Sequence, residues 1–276
     1  MARYGLATLN HSPLHGLATQ WEAHVDAAAA AGFDALAPDI FWLRALEKEG
    51  VSLALVADRM RDRGLSCMEI SGIAIGSEDR TQQELEENLR YAKALDAEFV
   101  NTRFIEPIDP AMIERLKRVA IAFREEGASA GGTGVALEFS RGSNLNGVAQ
   151  ARELVEAVGE AGVGVTLDTW HFFLHPDGPD WTALEALPID QLANVQLSDG
   201  VPYGEGEFGK ATMDGRRLPG EGEFDLERCS SLLAERGFDG AVVLEVLSAE
   251  HREQPLGVFA QELIDSTRRS FPLGAG

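Results

Sequence analysis

Several acidic or amide side chains lie at the ends of short apolar runs in the second half of the sequence. The runs read VALEFS, VTLDTWH, NVQLSD and VVLEV, and they contain Glu138, Asp168 with His171, Gln196, and Glu245. A carboxylate inside an apolar segment is strongly destabilising unless something pairs with it. Carboxylates that converge on one place also repel one another, and a divalent cation with oxygen ligands would relieve both penalties. The acidic residues therefore predict a divalent-cation site.

Each of these side chains also has a purely structural explanation. Glu138 could pair with an arginine such as Arg141, and Asp168 could cap the segment that follows it. His171 could hold Asp168 in place by a hydrogen bond. Glu245 is harder to explain in this way, because it is embedded in apolar residues. The recurrence of acidic groups at equivalent places in successive runs favours one functional site over separate structural roles.

Short apolar runs alternate with helix-like stretches along the chain, and most runs are continuously apolar, as in parallel strands buried on both faces. We predict eight strands, over residues 4–10, 34–39, 65–71, 98–103, 135–140, 164–168, 194–199 and 241–247. We predict eight helices, over residues 20–31, 52–63, 81–95, 110–126, 146–161, 181–187, 225–236 and 256–269. Strict alternation predicts an α/β fold, a single (β/α)8 TIM barrel with one domain over residues 1–276.

A doubly wound open sheet is the alternative architecture. It usually has a glycine-rich phosphate turn after its first strand, and the corresponding segment NHSPLHG lacks one. In a barrel the functional side chains lie at the carboxyl ends of the strands, where the acidic residues are predicted. The one long irregular stretch, residues 200–224, contains seven glycines, and we predict that it folds over the substrate as a lid.

Composition excludes several classes of partner. The chain has 276 residues with 45 acidic and 24 basic side chains, a formal net charge of −21 that disfavours nucleic acid and anionic membranes. Two cysteines, Cys67 and Cys229, cannot form a disulfide framework or a cysteine-rich zinc site. The first residues, MARYGLATLN, contain no apolar run long enough for a signal peptide or a membrane span, so we expect a cytoplasmic protein. A homo-oligomer is left open.

The segments ALEFS, VTLDTWH, RRLPGEG and VVLEV resemble the xylose-isomerase-like TIM barrels, and the strand order resembles that family over the whole chain. The family includes sugar isomerases and epimerases, keto-cyclitol and dehydroshikimate dehydratases, and endonuclease IV. The resemblance implies one divalent metal ion held by Glu138, Asp168, Gln196 and Glu245, at the ends of strands five to eight. Endonuclease IV is a poor match, because it needs a cluster of zinc ions with several histidines and the net charge opposes DNA.

The resemblance also implies roles for individual residues. Glu138 and Glu245 would be the acid/base pair of the reaction. His171, in the family's D-x-x-H motif, would bind the substrate. An arginine before the PG-x-G turn would bind the substrate as well, and Arg217 matches this position, with Arg216 as a close second. Apart from the resemblance, Arg103 at the end of the fourth predicted strand could contact an anionic group, and a surface salt bridge explains it equally well.

Gln196 departs from the family pattern, in which the third ligand is usually histidine. An amide oxygen suits Mn²⁺ or Mg²⁺ better than Zn²⁺, so we expect Mn²⁺ or Mg²⁺, with Zn²⁺ as the alternative. The expected activity is that of an isomerase or epimerase acting on a ketose or related polyol carbonyl compound through a metal-stabilised enediolate. One alternative is a dehydratase (lyase) acting on a keto-cyclitol or a 3-dehydroshikimate-like substrate, with His171 protonating the leaving group. Another is a non-catalytic binding barrel whose metal site has decayed. The expected partner is a small polyol or keto-sugar.

Overall fold

The computed structural model describes residues 2–128, 132–204 and 206–273, so Glu205 of the predicted lid lies outside the described residues. Nine parallel strands form one sheet in the order β3-β2-β1-β9-β8-β7-β6-β5-β4. They are β1 (Arg3–Ala7), β2 (Ala35–Ala37), β3 (Ser66–Cys67), β4 (Glu69–Ile75), β5 (Phe99–Phe104), β6 (Gly134–Glu138), β7 (Val163–Asp168), β8 (Leu192–Leu197) and β9 (Ala241–Leu244). This nearly closed barrel confirms the predicted TIM-barrel fold. The prediction of one domain over residues 1–276 stays a prediction.

The ninth strand arises because the predicted strand over residues 65–71 is divided at Met68. β3 pairs with β2, whereas β4 pairs with β5. Between them, the Met68 N–H donates to the Leu36 carbonyl at 2.8 Å, and its carbonyl accepts from the Phe99 N–H at 3.1 Å. The chain therefore changes pairing partner within one residue, and this change joins the two ends of the strand order into a barrel.

Eleven α-helices flank these strands within the described residues. They are α1 (Trp21–Ala31), α2 (Ile40–Lys48), α3 (Leu53–Asp62), α4 (Glu78–Leu95), α5 (Pro110–Glu126), α6 (Val148–Val158), α7 (Thr169–Phe173), α8 (Trp181–Ala186), α9 (Phe208–Asp214), α10 (Leu226–Glu235) and α11 (Leu256–Ser270). All eight predicted helices are present, whereas α2, α7 and α9 were not predicted. No helix in this part of the chain is long and apolar enough to cross a membrane.

Two predicted boundaries are wrong for identifiable reasons. α4 begins at Glu78 rather than at residue 81, because the Thr81 hydroxyl bonds to the backbone of Gly76 inside the helix's first turns instead of capping it. β1 ends at Ala7 rather than at residue 10. Beyond it the Asn10 side chain, rather than a strand backbone, bonds to the Leu244 carbonyl at 2.9 Å and to the Val246 N–H at 2.7 Å.

The inside of the barrel has an apolar part and a polar part. Small and apolar side chains from β1, β2 and β9, together with Met68, form a separate internal cluster: Ala7, Ala35, Ala37, Ala241 and Val243. The alternate positions of β4 to β8 carry buried polar side chains instead, among them Glu69, Asn101, Thr166, Asn194 and Gln196. Since buried polar groups require partners, we expect a functional site in this polar half of the barrel.

Candidate active site

The predicted site residues occupy four neighbouring strands at their carboxyl ends. Glu138 is the last residue of β6, Asp168 is the last residue of β7, and Glu245 directly follows β9. Gln196 in β8 is the register partner of Asp168. Because β6, β7, β8 and β9 are consecutive in the sheet, the fold brings these four residues to one sector of the barrel mouth.

Glu138, Asp168 and His171 form a compact cluster of donor atoms. The His171 Nε2 lies 3.5 Å from Glu138 Oε1 and 3.7 Å from Asp168 Oδ2. Asp168 also caps α7, because its Oδ1 accepts from the Trp170 N–H at 2.7 Å, which leaves Oδ2 for the cluster. One ligand atom from each of the three residues lies within 4.8 Å of the others. This set of two carboxylates and an imidazole fits a divalent cation.

Arg216 joins the carboxylates of two different strands. Its side chain is buried, with Nη1 3.3 Å from Asp168 Oδ2 and Nη2 3.2 Å from Glu245 Oε1. Burial raises the pKa of Glu245 to about 8; Arg216 opposes this rise, whereas Asp168 and Glu138 add to it. The guanidinium therefore supplies positive charge where two buried carboxylates meet.

Arg217 points away from this cluster. It is exposed, and its Nη1 donates to the Glu221 carbonyl at 3.2 Å beside a separate cleft of about 660 Å³. The backbone here is paired on both sides, since Arg217 bonds with Asp199 and the Arg216 N–H donates to the Leu247 carbonyl. Successive side chains of an extended backbone point to opposite sides, so Arg216 enters the barrel mouth and Arg217 does not. The geometry favours Arg216, the second choice of the sequence analysis, as the arginine of the site.

The PG-x-G turn is held against the barrel by Asp199. Its carboxylate accepts from the N–H groups of Gly220 at 2.9 Å and Phe224 at 3.1 Å. A Cβ at Gly222 would lie 2.1 Å from Asp199 Oδ1 and 2.4 Å from the Gly200 carbonyl oxygen. The turn therefore needs glycine at 222 because the backbone approaches too closely for any side chain.

Glu69 is a buried carboxylate that the sequence analysis missed. It is 0% exposed and accepts hydrogen bonds from Gln196 Nε2 at 2.8 Å, Ser71 Oγ at 2.9 Å and Asn194 Nδ2. Burial raises its pKa to about 7, although these hydrogen bonds oppose the shift. The signal was available, because Glu69 interrupts an apolar run just as Glu245 does.

A cavity of about 300 Å³ opens onto this cluster, at the lower end of the range for small-molecule sites. Among the side chains that line it are Asp39, Asn101, Glu138, His171, Arg216 and Glu245. Asp168 and Gln196 are buried behind this lining. Arg103 lines the same cavity and is exposed. The cavity therefore has the size of a small-molecule site, and its wall combines charged and amide side chains with apolar ones.

The segment predicted to be a lid contributes to the cavity wall. Within it, α9 places Phe208, Thr212 and Met213 along the cavity, and the Phe208 ring lies 6.5 Å from the His171 ring. Arg141, considered as a partner for Glu138, instead lies over the Phe208 ring and contacts the Tyr203 hydroxyl. Closure over a substrate stays a prediction, but the segment is positioned for it.

Comparison with known proteins connects this geometry with a family. The profile described as "Xylose isomerase-like TIM barrel" matches residues 25–265. The chain belongs to this family. Inosose isomerase from Halalkalibacterium halodurans is 34% identical over 122 residues, which are 44% of this chain and 42% of the relative. The chain thus matches less than half the length of this curated relative.

Solved structures extend the similarity over the whole barrel. The crystal structure of an IOLI protein with a zinc atom has a TM-score of 0.80 and 18% identity, and the match covers 98% of both chains. D-allulose 3-epimerase from Methylomonas sp., in complex with D-allulose, has a TM-score of 0.71 and 16% identity, with 98% of this chain and 97% of the epimerase covered. At these identities the two structures show a shared fold.

Proposed function

We propose that this chain is an isomerase or epimerase that acts on a keto-cyclitol of the inosose type or on a ketose, with one divalent cation. The observation that carries the proposal is the cluster of Glu138, Asp168 and His171, which adjoins a cavity that also presents Glu245 and Arg216. The inosose isomerase relative supports the reaction class. The substrate is accordingly a small polyol with a carbonyl group.

Glu138 and Asp168 would hold the cation, with Gln196 and Glu245 completing the ligand set that the family resemblance implies. Oxygen donors favour Mn²⁺ or Mg²⁺ over Zn²⁺. When bound, the cation supplies a Lewis acid that polarises the substrate carbonyl and stabilises negative charge on its oxygen. His171 Nε2 lies close enough to Glu138 and Asp168 to ligate the cation as well. The family resemblance assigns it to the substrate, so His171 would hydrogen-bond a substrate oxygen beside the cation.

Glu138 and Glu245 would exchange the proton on the carbon next to the carbonyl. They come from β6 and the end of β9, with β7 and β8 between them, and both line the cavity, so two carboxyl groups from different strands would reach the substrate. One carboxylate would remove the proton. Return of a proton by the other carboxylate to the opposite face of the same carbon would invert its configuration, whereas return to the former carbonyl carbon, with a proton transferred between the two oxygens, would relocate the carbonyl group. Arg216 would stabilise the enediolate by donating hydrogen bonds from its buried guanidinium.

Proton exchange in heavy water tests the proposal. Wild type, Glu138→Gln and Glu245→Gln are incubated with Mn²⁺ and either an inosose or D-allulose, and deuterium incorporation is followed by NMR. We expect wash-in by the wild type and a loss of roughly 10²–10⁴ in rate for each variant, because an amide cannot accept the proton. Glu221→Gln, in the separate cleft, is the matched control and should retain the wild-type rate.

The alternatives give different results in the same assay. Loss of water with an ultraviolet-absorbing product would identify a dehydratase. Binding of the probes with no exchange and no elimination would identify a non-catalytic barrel. Exchange at the wild-type rate by both glutamine variants would remove Glu138 and Glu245 from the acid/base roles.

A further inference from the structure

Glu69 has no role in the chemistry proposed above, yet it is among the most completely buried carboxylates of the described chain. Its backbone lies level with the amino end of the barrel, since it pairs with Phe99, which in turn pairs with Gly134 at the start of β6. All three hydrogen bonds to its carboxylate come from side-chain donors inside the barrel. Burial without a cationic partner is costly, and this arrangement needs a reason.

The contact with Gln196 determines how that amide is oriented. Gln196 is 1% exposed, and its Nε2 donates to Glu69 Oε1 at 2.8 Å. In a planar amide the oxygen and the nitrogen diverge from the same carbon atom, so a hydrogen bond from Nε2 to Glu69 leaves Gln196 Oε1 outside that contact. That oxygen is buried and has no hydrogen-bond partner among the described residues. A buried carbonyl oxygen without a partner is available to a ligand.

Only one of the two amides that contact Glu69 lies level with the cluster of donor atoms. Asn194 also donates to Glu69, and its Oδ1 is likewise buried without a partner in the described chain. Its register partner is Thr166, two residues deeper in the barrel, whereas the partner of Gln196 is Asp168. The register therefore places residue 196, and not residue 194, beside a carboxylate residue of the cluster.

We propose that Glu69 is a positioning residue that holds the Gln196 amide with its carbonyl oxygen, rather than its NH₂ group, available to a divalent cation beside Asp168. The two orientations of an amide have nearly the same shape, and only the oxygen can ligate a cation. A hydrogen-bond acceptor on one side is what selects between them. The inference rests on the proposed function for the presence of the cation, and it explains how glutamine can serve where the family usually has histidine.

A double-mutant cycle on Mn²⁺ affinity tests this inference. Mn²⁺ binding is measured by electron paramagnetic resonance for wild type, Glu69→Gln, Gln196→Leu and the double variant, with circular dichroism to verify folding. We expect Glu69→Gln and Gln196→Leu each to weaken Mn²⁺ binding about tenfold or more, as loss of a ligand or of its supporting hydrogen bond does. The double variant should be no weaker than Gln196→Leu, because Glu69 acts through Gln196.

Two further variants keep the result specific. Ser71→Ala removes another donor to Glu69 and should leave the Mn²⁺ Kd within about twofold of wild type. Glu69→Asp shortens the side chain beyond hydrogen-bond range of Gln196, and it serves as a second variant with the same expected loss as Glu69→Gln. An unchanged Kd in both Glu69 variants, additive losses in the double variant, or a wild type that binds no Mn²⁺ would overturn the inference. Mn²⁺ binding with the expected cycle but no proton exchange on any probe would instead overturn the proposed function alone.

Discussion

Replacing Arg216 by methionine should destabilise the protein far more than the same change at Arg217. Arg216 is 3% exposed. Its Nη1 lies 3.3 Å from Asp168 Oδ2, and its Nη2 lies 3.2 Å from Glu245 Oε1. Removing one partner of a buried ion pair leaves an uncompensated charge and costs about 3–5 kcal/mol. Here a single guanidinium serves two buried carboxyl groups. Because burial already raises the pKa of Glu245 to about 8, protonation of this group limits the penalty, and we expect a loss of free energy of unfolding at the lower end of that range.

Urea denaturation followed by circular dichroism, in buffer with chelator, measures the loss. Arg217→Met is the matched control, because Arg217 is exposed and its guanidinium donates to the backbone carbonyl of Glu221, so its effect should stay within about 0.5 kcal/mol. Arg216→Lys should fall between the two, since one ammonium group cannot span both carboxylates as the two guanidinium nitrogens do. Mn²⁺ should recover part of the stability of Arg216→Met, because a cation beside Asp168 replaces the missing positive charge.

Two results would refute this reasoning. Arg216→Met could lie within about 1 kcal/mol of wild type, or Arg217→Met could lose as much stability as Arg216→Met. Either would show that the guanidinium of Arg216 does not neutralise the carboxylates at the barrel mouth. Proton exchange offers a second readout: Arg217→Met should retain the wild-type rate, and loss of exchange in this variant would restore the original assignment of the substrate-binding arginine.

Three other changes have defined outcomes. Burial lowers the pKa of His24 from 6.5 to about 4, because the buried imidazole is held neutral. The free energy of unfolding therefore keeps its full value above pH 6.5 and decreases as the pH falls towards 4, since the unfolded chain takes up a proton first. His24→Phe should therefore reduce the slope of urea stability against pH in this window, with a remainder from His11, whose pKa burial also lowers to about 4. An unchanged slope would contradict the assignment. Gly222→Ala should lower the melting temperature, because its Cβ would meet Asp199. The control Gly209→Ala has open space around the added Cβ and should melt like the wild type. Equal melting temperatures for the two variants would argue against the close approach at Gly222. Phe208→Ala should raise the substrate KM more than it lowers kcat, and unchanged kinetics would remove Phe208 from the binding wall.

The barrel itself could be predicted from the sequence because its determinants are local and repeated. Continuously apolar runs separated by helix-length segments leave few ways to bury every strand on both faces, and a closed parallel barrel is one of them. Closure brings all carboxyl ends to one face, so acidic residues at the ends of successive runs had to meet. Glu138, Asp168 and Glu245 follow from this argument without any knowledge of distances.

The missed helices have two explanations, a capping signal that marks α2 and the short length of α7 and α9. α2 begins directly after Asp39, whose carboxylate accepts from the Phe41 and Trp42 N–H groups at 3.0 Å, a capping pattern visible in the sequence. α7 has only five residues and α9 seven, too short for a helical period to stand out. These omissions change the description of the loops and leave the barrel unaffected.

The remaining features of the site depend on contacts between distant parts of the chain. Arg216 rather than Arg217 enters the site because backbone pairing with Asp199 and Leu247 sets which side each residue faces, and two adjacent arginines are indistinguishable by composition. The contact between Glu69 and Gln196 joins residues 127 positions apart. Apolar periodicity specifies which face of an element is buried, but not which polar side chain it will meet across the barrel. The sequence therefore determined the fold and the position of the acidic residues, while the closed barrel decided the partners of their neighbours.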